Sequence, residues 1–374
     1  MARHRPDAAD AAPPSSPPPP GTASDEVRHR FGPALVEWQR THGRHRLPWQ
    51  QTRDPYRVWL SEIMLQQTQV ATVLGYYERF LQRFPDVATL AAAPLDEVLA
   101  LWSGLGYYSR ARNLHRCAQA VVAEHGGAFP ASAAVLETLP GIGRSTAAAV
   151  AAFCFGERVA ILDGNVKRVL TRLLGFEADL AQAAAERALW AQASALLPEH
   201  GIESYTQGLM DLGATVCLPR SPNCLLCPAA ELCTARREGA PERYPVKTRR
   251  LKRGRREHWW LWLRHEDATW LVQRPDSGVW AGLFSLPEFD SREALDAATA
   301  ALGAGRRVEL PVVEHALTHF DWRLHPVRLE LDEAPPPALL AALGPGGKGR
   351  WADAPRLAAL GVPAPLRKLL LGDG

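Results

Sequence analysis

Four of the six cysteines lie in one short segment, and their spacing is typical of a metal site. The segment "CLPRSPNCLLCPAAELC" carries Cys217, Cys224, Cys227 and Cys233 in the spacing C-x6-C-x2-C-x5-C. Structural zinc sites usually combine two closely spaced pairs, whereas only Cys224 and Cys227 are close here. Four thiolates in an irregular run also suit an iron–sulfur cluster. The spacing therefore favours iron–sulfur over zinc and leaves zinc open as the alternative.

Two acidic residues lie in segments that could carry chemistry, and Glu62 is placed as a general acid would be. In "DPYRVWLSEIMLQQTQV", Asp54 or the Asp-Pro step starts a helix, and Glu62 then lies on a partly apolar face with Val58 and Leu65. Such a face disfavours the charged carboxylate, so the group keeps its proton as a general acid must. Asp163 follows the apolar run in "AILDGNVKRVL" and precedes a new helix. The simpler alternatives are a surface glutamate and a plain N-cap aspartate.

A glycine-containing turn separates two predicted helices in "LETLPGIGRSTAAAVAAF", with the second helix starting near Arg144. Gly141 and Gly143 permit a tight turn and leave backbone N–H groups available to a phosphate. An ordinary αα-hairpin has the same pattern. The segment indicates a phosphate contact only in combination with the other motifs.

Length and composition indicate a protein of two compact domains without a membrane span. The 374 residues are 47% hydrophobic, enough for two cores. No run of about twenty apolar residues and no secretory signal is present, which predicts a soluble intracellular protein. The net charge of +3 is small, but the segment "RYPVKTRRLKRGRR" is strongly basic. It is either a phosphate contact or a solvated linker.

The composition and hydrophobic periodicity of the sequence change along the chain and indicate four segments. Residues 1–25 are rich in Pro and Ala and predict a disordered tail. Residues 26–235 have helical periodicity, and residues 236–257 form a basic linker. In residues 258–374, "HWWLWLRHEDATWLVQRP" predicts a hairpin, while "ALLAALG" and "PAPLRKLLLG" predict helices. We therefore expect an all-α domain followed by an α+β domain.

Five motifs in this order resemble the adenine-specific mismatch DNA glycosylases, the MutY family of the endonuclease III superfamily. They are "WLSEIMLQQTQV", "GLGYYSRARNL", "LPGIGRSTAAAV", "ILDGNVKRVL" and the cysteine segment, and the resemblance covers about residues 26–374. It implies an all-α helix-hairpin-helix glycosylase domain with a cluster loop at 217–233, followed by an α+β Nudix-like domain. It also implies that the four cysteines hold a 4Fe–4S cluster.

The resemblance assigns the chemistry to three residues. Glu62 is implied to protonate adenine, Asp163 to stabilise or trap the oxocarbenium-like sugar, and Asn165 to orient the reaction. Two carboxylates supply the proton and the negative charge that such a transition state needs. Lyases of the superfamily carry a lysine where this chain has Ser145, so a monofunctional glycosylase is expected.

The implied DNA contacts are distributed over the helical domain. Trp49 and Gln207 match positions that line the adenine pocket, and Gln67 and Tyr107 match groups that wedge into the base stack. The remaining contacts are Gly141, Gly143 and Ser145 of the hairpin and Arg220 of the cluster loop. The expected partner is double-stranded DNA with adenine opposite 8-oxoguanine or guanine, bound by a monomer in a bacterial-type cytoplasm.

The second domain resembles the Nudix-like domain that reads 8-oxoguanine in this family, and "RPDSGVWAGLFSLPEF" carries the match. The Glu-rich box for metal-dependent hydrolysis is missing, so a base-reading role is expected. Leu317, Thr318 and His319 stand where the commonest pattern is Phe-Ser-His. Thr318 keeps a hydroxyl for the lesion. The alternative is a buried threonine at a strand end.

Two other functions were weighed against this one. Ser145 and the second domain argue against a pyrimidine-directed glycosylase and lyase of the endonuclease III type. Glu62 and Asp163 argue against a non-catalytic iron–sulfur protein that binds DNA or transfers electrons.

Overall fold

The computed structural model describes residues 21–248, 253–344 and 348–372. Most of the predicted tail, and residues 249–252 of the basic stretch, lie outside this range. In the part of the chain that is described, no helix is both long and apolar enough to cross a membrane.

The first part of the described chain is helical, as predicted. Several helices begin at side-chain caps: Ser24 Oγ accepts a hydrogen bond from Val27 N, and Asp86 accepts one from Thr89 N. The helices are α1 (Asp25–His42), α2 (Pro55–Leu65), α3 (Val70–Arg83), α4 (Val87–Ala92), α5 (Leu95–Trp102), α6 (Ser109–His125), α7 (Ala133–Leu136), α8 (Arg144–Phe155), α9 (Gly164–Leu174), α10 (Ala183–Ala195), α11 (Ile202–Thr215) and α12 (Thr234–Arg237).

The chain divides into two compact units, and the helical region contributes to both. The first unit joins the described part of Met1–Arg44 to Arg158–Thr248, and it contains α1 and α9 to α12. The second joins His45–Glu157 to the described part of Arg249–Gly374. The segment expected to form one domain, 26–235, is therefore divided: residues 45–157 belong to the second unit and the rest to the first.

Packing in the first unit centres on α11, which contacts both α1 and α9. Phe31 of α1 meets Tyr205 of α11 edge to face, with ring centroids 6.1 Å apart, and both side chains are buried. A Cβ on Gly208 would lie 3.1 Å from Leu35 Cγ, so the glycine lets the two helices approach closely. This pairing joins residues that are far apart in the sequence.

In the second unit, α8 packs against α2 and α7, and α6 packs against α4 and α5. The alanine-rich face of α8 is buried from Ala147 to Ala152, and such small side chains allow a close approach to α2. These contacts hold the motif helices α2 and α8 side by side.

The strand-rich part of the second unit is one sheet with flanking helices, which confirms the α+β prediction. The strands have the order β3-β2-β1-β7-β5, with β4 paired to β1, β6 to β7 and β8 to β2. The elements are β1 (Gly254–His265), β2 (Ala268–Gln273), β3 (Phe284–Ser285), β4 (Glu288–Phe289), α13 (Arg292–Leu302), β5 (Gly305–Glu309), β6 (Val313–Ala316), β7 (Phe320–Leu331), α14 (Pro337–Ala342), β8 (Gly349–Ala352), α15 (Ala354–Ala359) and α16 (Ala364–Leu371).

The two long strands β1 and β7 form the parallel centre of the sheet, in register from Gly254 opposite Phe320 to His265 opposite Leu331. All other strand pairs in the described residues are antiparallel. Strand β1 begins before His258, so the end of the predicted linker pairs within the sheet. Leu261 of β1 belongs to the core beneath it.

The sheet region contacts helices α5 and α6 of the same unit. Ser103 Oγ donates to Val362 O at 2.9 Å, and Arg112 Nη1 donates to Ala281 O at 2.5 Å. A Cβ on Gly361 would lie 2.6 Å from Leu99 Cβ. These contacts join the chain at 281 and at 361–362 to the helices of this unit.

Candidate active site and nucleic-acid interface

Glu62 lies on α2, which begins where the sequence predicts. The Asp54 carboxylate accepts a hydrogen bond from Tyr56 N at 3.0 Å, and Pro55 occupies the first helical position. Glu62 is half-buried, and Val58 one turn earlier is buried. Glu62 therefore lies at the boundary between core and solvent.

Asp163 caps α9, so the simple N-cap interpretation describes its local structure. Its Oδ1 accepts a hydrogen bond from Val166 N at 2.8 Å, and buried Ile161 and Leu162 precede it. Burial raises the pKa of the Asp163 carboxyl, while hydrogen bonds from the backbone of Val166 and Asn165 oppose the shift. The carboxylate charge is thus held at a cost in free energy.

Arg168 fixes the side chain of Asn165. Its Nη2 donates to Asn165 Oδ1 at 2.9 Å and to Gly213 O at 2.6 Å, and its Nε donates to Cys217 O at 2.8 Å. A Cβ on Gly213 would lie only 2.6 Å from Asn165 Cβ, so this approach requires glycine. One guanidinium therefore joins Asn165 to the backbone of the first cysteine.

The four cysteines of the segment are free thiols that line one cavity in the first unit. Burial, together with the charges of Cys217, Cys233 and Cys224, raises the pKa of Cys227 to about 12. A bound cation would reverse this preference for the thiol form. Across 21–248, 253–344 and 348–372, no three Cys, His, Asp or Glu side chains converge closely enough to hold a single metal ion.

Buried Arg172 supports the loop that follows the first cysteine. Its Nη1 donates to Cys217 Sγ at 3.3 Å and to Leu218 O at 2.7 Å, and its Nη2 donates to Pro219 O at 3.1 Å. The next residue, Arg220, is exposed. The loop therefore presents a positive charge outward from a backbone that is fixed from within.

The two residues predicted for the adenine pocket belong to different units. Gln207 Nε2 donates to Asp211 Oδ1 at 2.8 Å, and Arg44 donates to the same buried carboxylate from Nε at 2.7 Å and from its backbone N at 2.8 Å. This orients the Gln207 amide with its nitrogen toward Asp211. Trp49 is buried in the second unit, with its ring edge against Tyr77 at 5.3 Å.

The predicted wedge residues Gln67 and Tyr107 line one cavity with Gly141 of the hairpin. Both wedge side chains are exposed, and both residues have positive φ, 56° for Gln67 and 49° for Tyr107. Gly141 has φ of 76°, and a Cβ there would lie 2.4 Å from Asn113 Cβ. The structure thus gathers three of the predicted DNA contacts at one place.

The hairpin itself has the predicted form. Helix α8 starts at Arg144, and Gly143 is its N-terminal capping residue. Gly141 and Gly143 are exposed, so their backbone N–H groups face a region that a phosphate can reach. Ser145 is half-buried in the first turn of α8.

Leu317, Thr318 and His319 form the connection between β6 and β7. Thr318 and His319 are exposed, so the interpretation of Thr318 as a buried strand-end residue is wrong. Thr318 Oγ1 lies 3.2 Å from the Tyr107 hydroxyl oxygen. Both residues line a second cavity, together with Trp280. The lesion-loop threonine and one wedge residue are therefore neighbours.

Comparisons with known proteins agree with these motifs. Residues 60–194 match the HhH-GPD superfamily base excision DNA repair protein family, and residues 258–372 match the NUDIX domain. The adenine DNA glycosylase of Buchnera aphidicola subsp. Acyrthosiphon pisum is 34% identical over 350 residues, which cover 92% of this chain and 97% of that protein. The chain belongs to the adenine DNA glycosylases. It is therefore an enzyme of base excision DNA repair.

Other relatives extend this result. The adenine DNA glycosylase of Mus musculus is 35% identical over 384 residues, which cover 86% of this chain and 73% of that protein. The solved structure of a thermostable thymine-DNA glycosylase is 30% identical, with a TM-score of 0.52, and covers 57% of this chain and 98% of its own. The expected two-part fold class and the family resemblance are confirmed, and the non-catalytic alternative is wrong.

Sequence reasoning missed the charged residues that hold these sites together. Four of them lie on helices beside buried neighbours, and Arg44 lies just after the end of α1. Arg172, for example, lies one turn after buried Val169 on α9. The missed residues are Arg44, Arg110, Arg168, Arg172 and Asp211.

Replacing Gly213 tests the placement of Asn165. The added methyl of Gly213→Ala collides with Asn165 Cβ, and we expect single-turnover release of adenine to slow by about ten- to a hundredfold, since misplacement by about 1 Å has effects of that size. Gly75→Ala in α3 is the matched control, because there the nearest atom to the new Cβ is the flexible end of Arg79. A wild-type rate for Gly213→Ala would contradict the positioning of Asn165.

Proposed function

We propose that this enzyme hydrolyses the N-glycosidic bond of adenine that lies opposite 8-oxoguanine or guanine in duplex DNA, and that it leaves the strand intact. The observation that carries the specificity is the close pair of hydroxyl groups on Tyr107 and Thr318, which belong to the wedge and to the lesion loop. The enzyme acts as a monomer on nucleoid DNA in a bacterial cytoplasm.

In this proposal Glu62 protonates the adenine and so weakens the glycosidic bond. Its half-buried position on α2, one turn after buried Val58, supports the role, because solvent reaches only part of this residue. Asp163 stays charged and stabilises the oxocarbenium-like sugar. Asn165 is held by Arg168 and orients this step.

The residue type at position 145 is the reason that we propose hydrolysis without strand cleavage. A β-lyase step needs an amine that forms a Schiff base with the sugar, and Ser145 supplies a hydroxyl instead. Lys167 is engaged in an ion pair with Glu186, N to O 2.5 Å. The product is accordingly an abasic site in an unbroken strand.

The four thiols suit a 4Fe–4S cluster as a ligand set. They are free, they line one cavity, and Arg172 Nη1 donates a hydrogen bond to the first sulfur. Bound there, the cluster would shape the loop that carries Arg220 toward phosphate. The bond-breaking chemistry is assigned to residues outside this loop.

Removing either carboxylate function should stop the reaction. We expect Glu62→Gln and Asp163→Asn each to slow single-turnover adenine release by at least about a hundredfold, the scale of general acid catalysis, with duplex Kd changed by less than about threefold. Glu78→Gln on the exposed face of α3 is the control. Release within a few-fold of wild type for either variant would remove that residue from the mechanism.

The unfolding temperature of Asp163→Asn distinguishes a loss of catalysis from misfolding. Asparagine still caps a helix, and burial raises the pKa of Asp163, so the folded protein bears a cost when that carboxyl ionises. Asp163→Asn should therefore unfold at a higher temperature than wild type at neutral pH. The difference should shrink as pH falls through the raised Asp163 pKa, because both proteins are then uncharged at this position. A lower unfolding temperature at neutral pH would contradict the buried-charge argument.

Metal analysis tests the cluster. Protein purified without oxygen should contain about four irons per chain and absorb visible light. Cys224→Ser should lose most of the iron, whereas Cys154→Ser, which alters a cysteine outside the loop, should keep it. Stoichiometric zinc in the wild type would replace the cluster assignment with a zinc site.

Two substitutions of Thr318, one that removes its hydroxyl and one that keeps it, test whether this residue recognises 8-oxoguanine. Thr318→Val keeps the side-chain shape but removes the hydroxyl, and one such hydrogen bond contributes about 0.5–1.5 kcal/mol. The preference for 8-oxoguanine over guanine should therefore fall by up to about tenfold. Thr318→Ser keeps the hydroxyl and serves as the control. Affinities and release rates on both duplexes are compared at one salt concentration, because phosphate contacts are salt-dependent. Equal ratios in both variants would count against Thr318 as the reader.

A further inference from the structure

Arg110 is a buried arginine on α6 that donates hydrogen bonds to two separate loops. Only 8% of the residue is exposed. Its Nη1 donates to the main-chain oxygens at the end of α2: Ile63 O at 2.9 Å, Met64 O at 2.9 Å and Gln66 O at 2.5 Å. The last carbonyl groups of a helix have no partner within the helix, and here one guanidinium nitrogen satisfies them.

The other terminal nitrogen of Arg110 serves the loop between α5 and α6. Its Nη2 donates to Leu105 O at 3.1 Å and to Gly106 O at 3.2 Å. It also lies 3.2 Å from Thr68 Oγ1, in the first loop. The planar guanidinium thus bridges the chain at 63–68 and the chain at 105–106.

These two loops carry the wedge residues. Gln67 lies between Gln66 and Thr68, and Tyr107 directly follows Gly106. Both wedge residues have left-handed φ, which costs roughly 1–2 kcal/mol for a residue with a side chain. Such a conformation persists only where the surroundings hold it. Arg110 bonds to a carbonyl directly before each wedge residue.

The charge of Arg110 suits this role. Burial lowers the pKa of the guanidinium to about 10, which leaves it protonated at neutral pH. Its carbon Cζ lies 5.5 Å from the centroid of the Tyr107 ring, within the range of a cation–π contact. A lysine carries a single nitrogen and cannot reach both loops with the fork geometry of arginine.

We propose that Arg110 is a positioning residue that holds Gln67 and Tyr107 together in the conformation that enters the base stack. The inference rests on the proposed function and on the wedge roles that the family resemblance implies for these two residues. In this proposal one buried group, Arg110, controls how both side chains enter the base stack, although Arg110 itself does not touch the DNA. The two wedges should then act as one unit rather than as independent contacts.

The test uses the whole enzyme and a duplex with 2-aminopurine beside the target adenine, whose fluorescence rises when stacking is lost. Arg110→Lys and Gln67→Ala/Tyr107→Ala should each reduce the fluorescence rise on saturating binding by at least about fivefold. Combining Arg110→Lys with the two alanine changes should cause no further loss, as expected for groups that act together. Val121→Ala, which makes a cavity on the buried face of the same helix, is the control for lost stability.

A full fluorescence rise with folded Arg110→Lys would overturn the proposal, as would additive losses in the combined variant. If Arg110→Lys fails to fold, Thr68→Val decides, because it removes one acceptor of Arg110 Nη2. It should lower the rise by about twofold or more, and an unchanged rise contradicts the inference.

The same experiment separates this inference from the proposed function. Should the wild type unstack the duplex but release no adenine, while Arg110→Lys loses the unstacking, the chemistry fails and the positioning role stands. Should it release adenine and Arg110→Lys unstack the duplex normally, the function stands and the positioning role fails.

Discussion

Main-chain carbonyl groups in irregular segments must find donors, and in this protein buried arginines provide them. Arg110 serves the loops before the wedge residues, Arg168 serves Gly213 and Cys217, and Arg172 serves the start of the cysteine loop. A buried unpaired carbonyl costs free energy comparable to a lost hydrogen bond. The guanidinium offers several donors in one plane and forms charge-assisted bonds, so one side chain can fix several loop segments. The loops before the two predicted wedge residues and the start of the cysteine loop each have such a bond set.

Buried carboxylates also need hydrogen-bond partners, but here the charged group is the acceptor and its neighbours are the donors. The Asp211 carboxylate is buried and receives three hydrogen bonds from Arg44 and Gln207. Asp163 receives a backbone N–H bond as the cap of α9, yet burial still raises its pKa. The difference matters chemically. Asp211 is held by three hydrogen bonds and orients Gln207, whereas burial leaves Asp163 with an electrostatic cost. In the proposed mechanism a developing positive charge on the sugar relieves that cost.

The sequence predicted the elements better than it predicted their association. Helix starts at Asp54 and Asp163, the turn at Gly141 and the switch to strands after the basic stretch all follow from local capping, turn and periodicity rules. The division into two units does not, because the pairing of α1 with α11 joins distant segments and leaves no local signal. For the same reason residue type identified Glu62 and the cysteines as chemical candidates but did not identify Arg110. In "SRARNL" this arginine is indistinguishable from an exposed charge until the tertiary structure buries it.

Tyr107 lines two cavities of the second unit. It lines the cavity at the hairpin with Gln67 and the cavity at the lesion loop with Trp280. Its backbone follows a carbonyl held by Arg110, and its hydroxyl contacts Thr318. If Thr318 reads the opposite base as proposed, a base that takes its hydroxyl from Tyr107 acts on the residue that is proposed to enter the stack. Because the contact is a single hydrogen bond of about 1 kcal/mol, exchanging it for one to the base has little net cost. In the proposed function, Tyr107 therefore connects the reading of the opposite base to the opening of the stack, and Arg110 bonds to the carbonyl that precedes it.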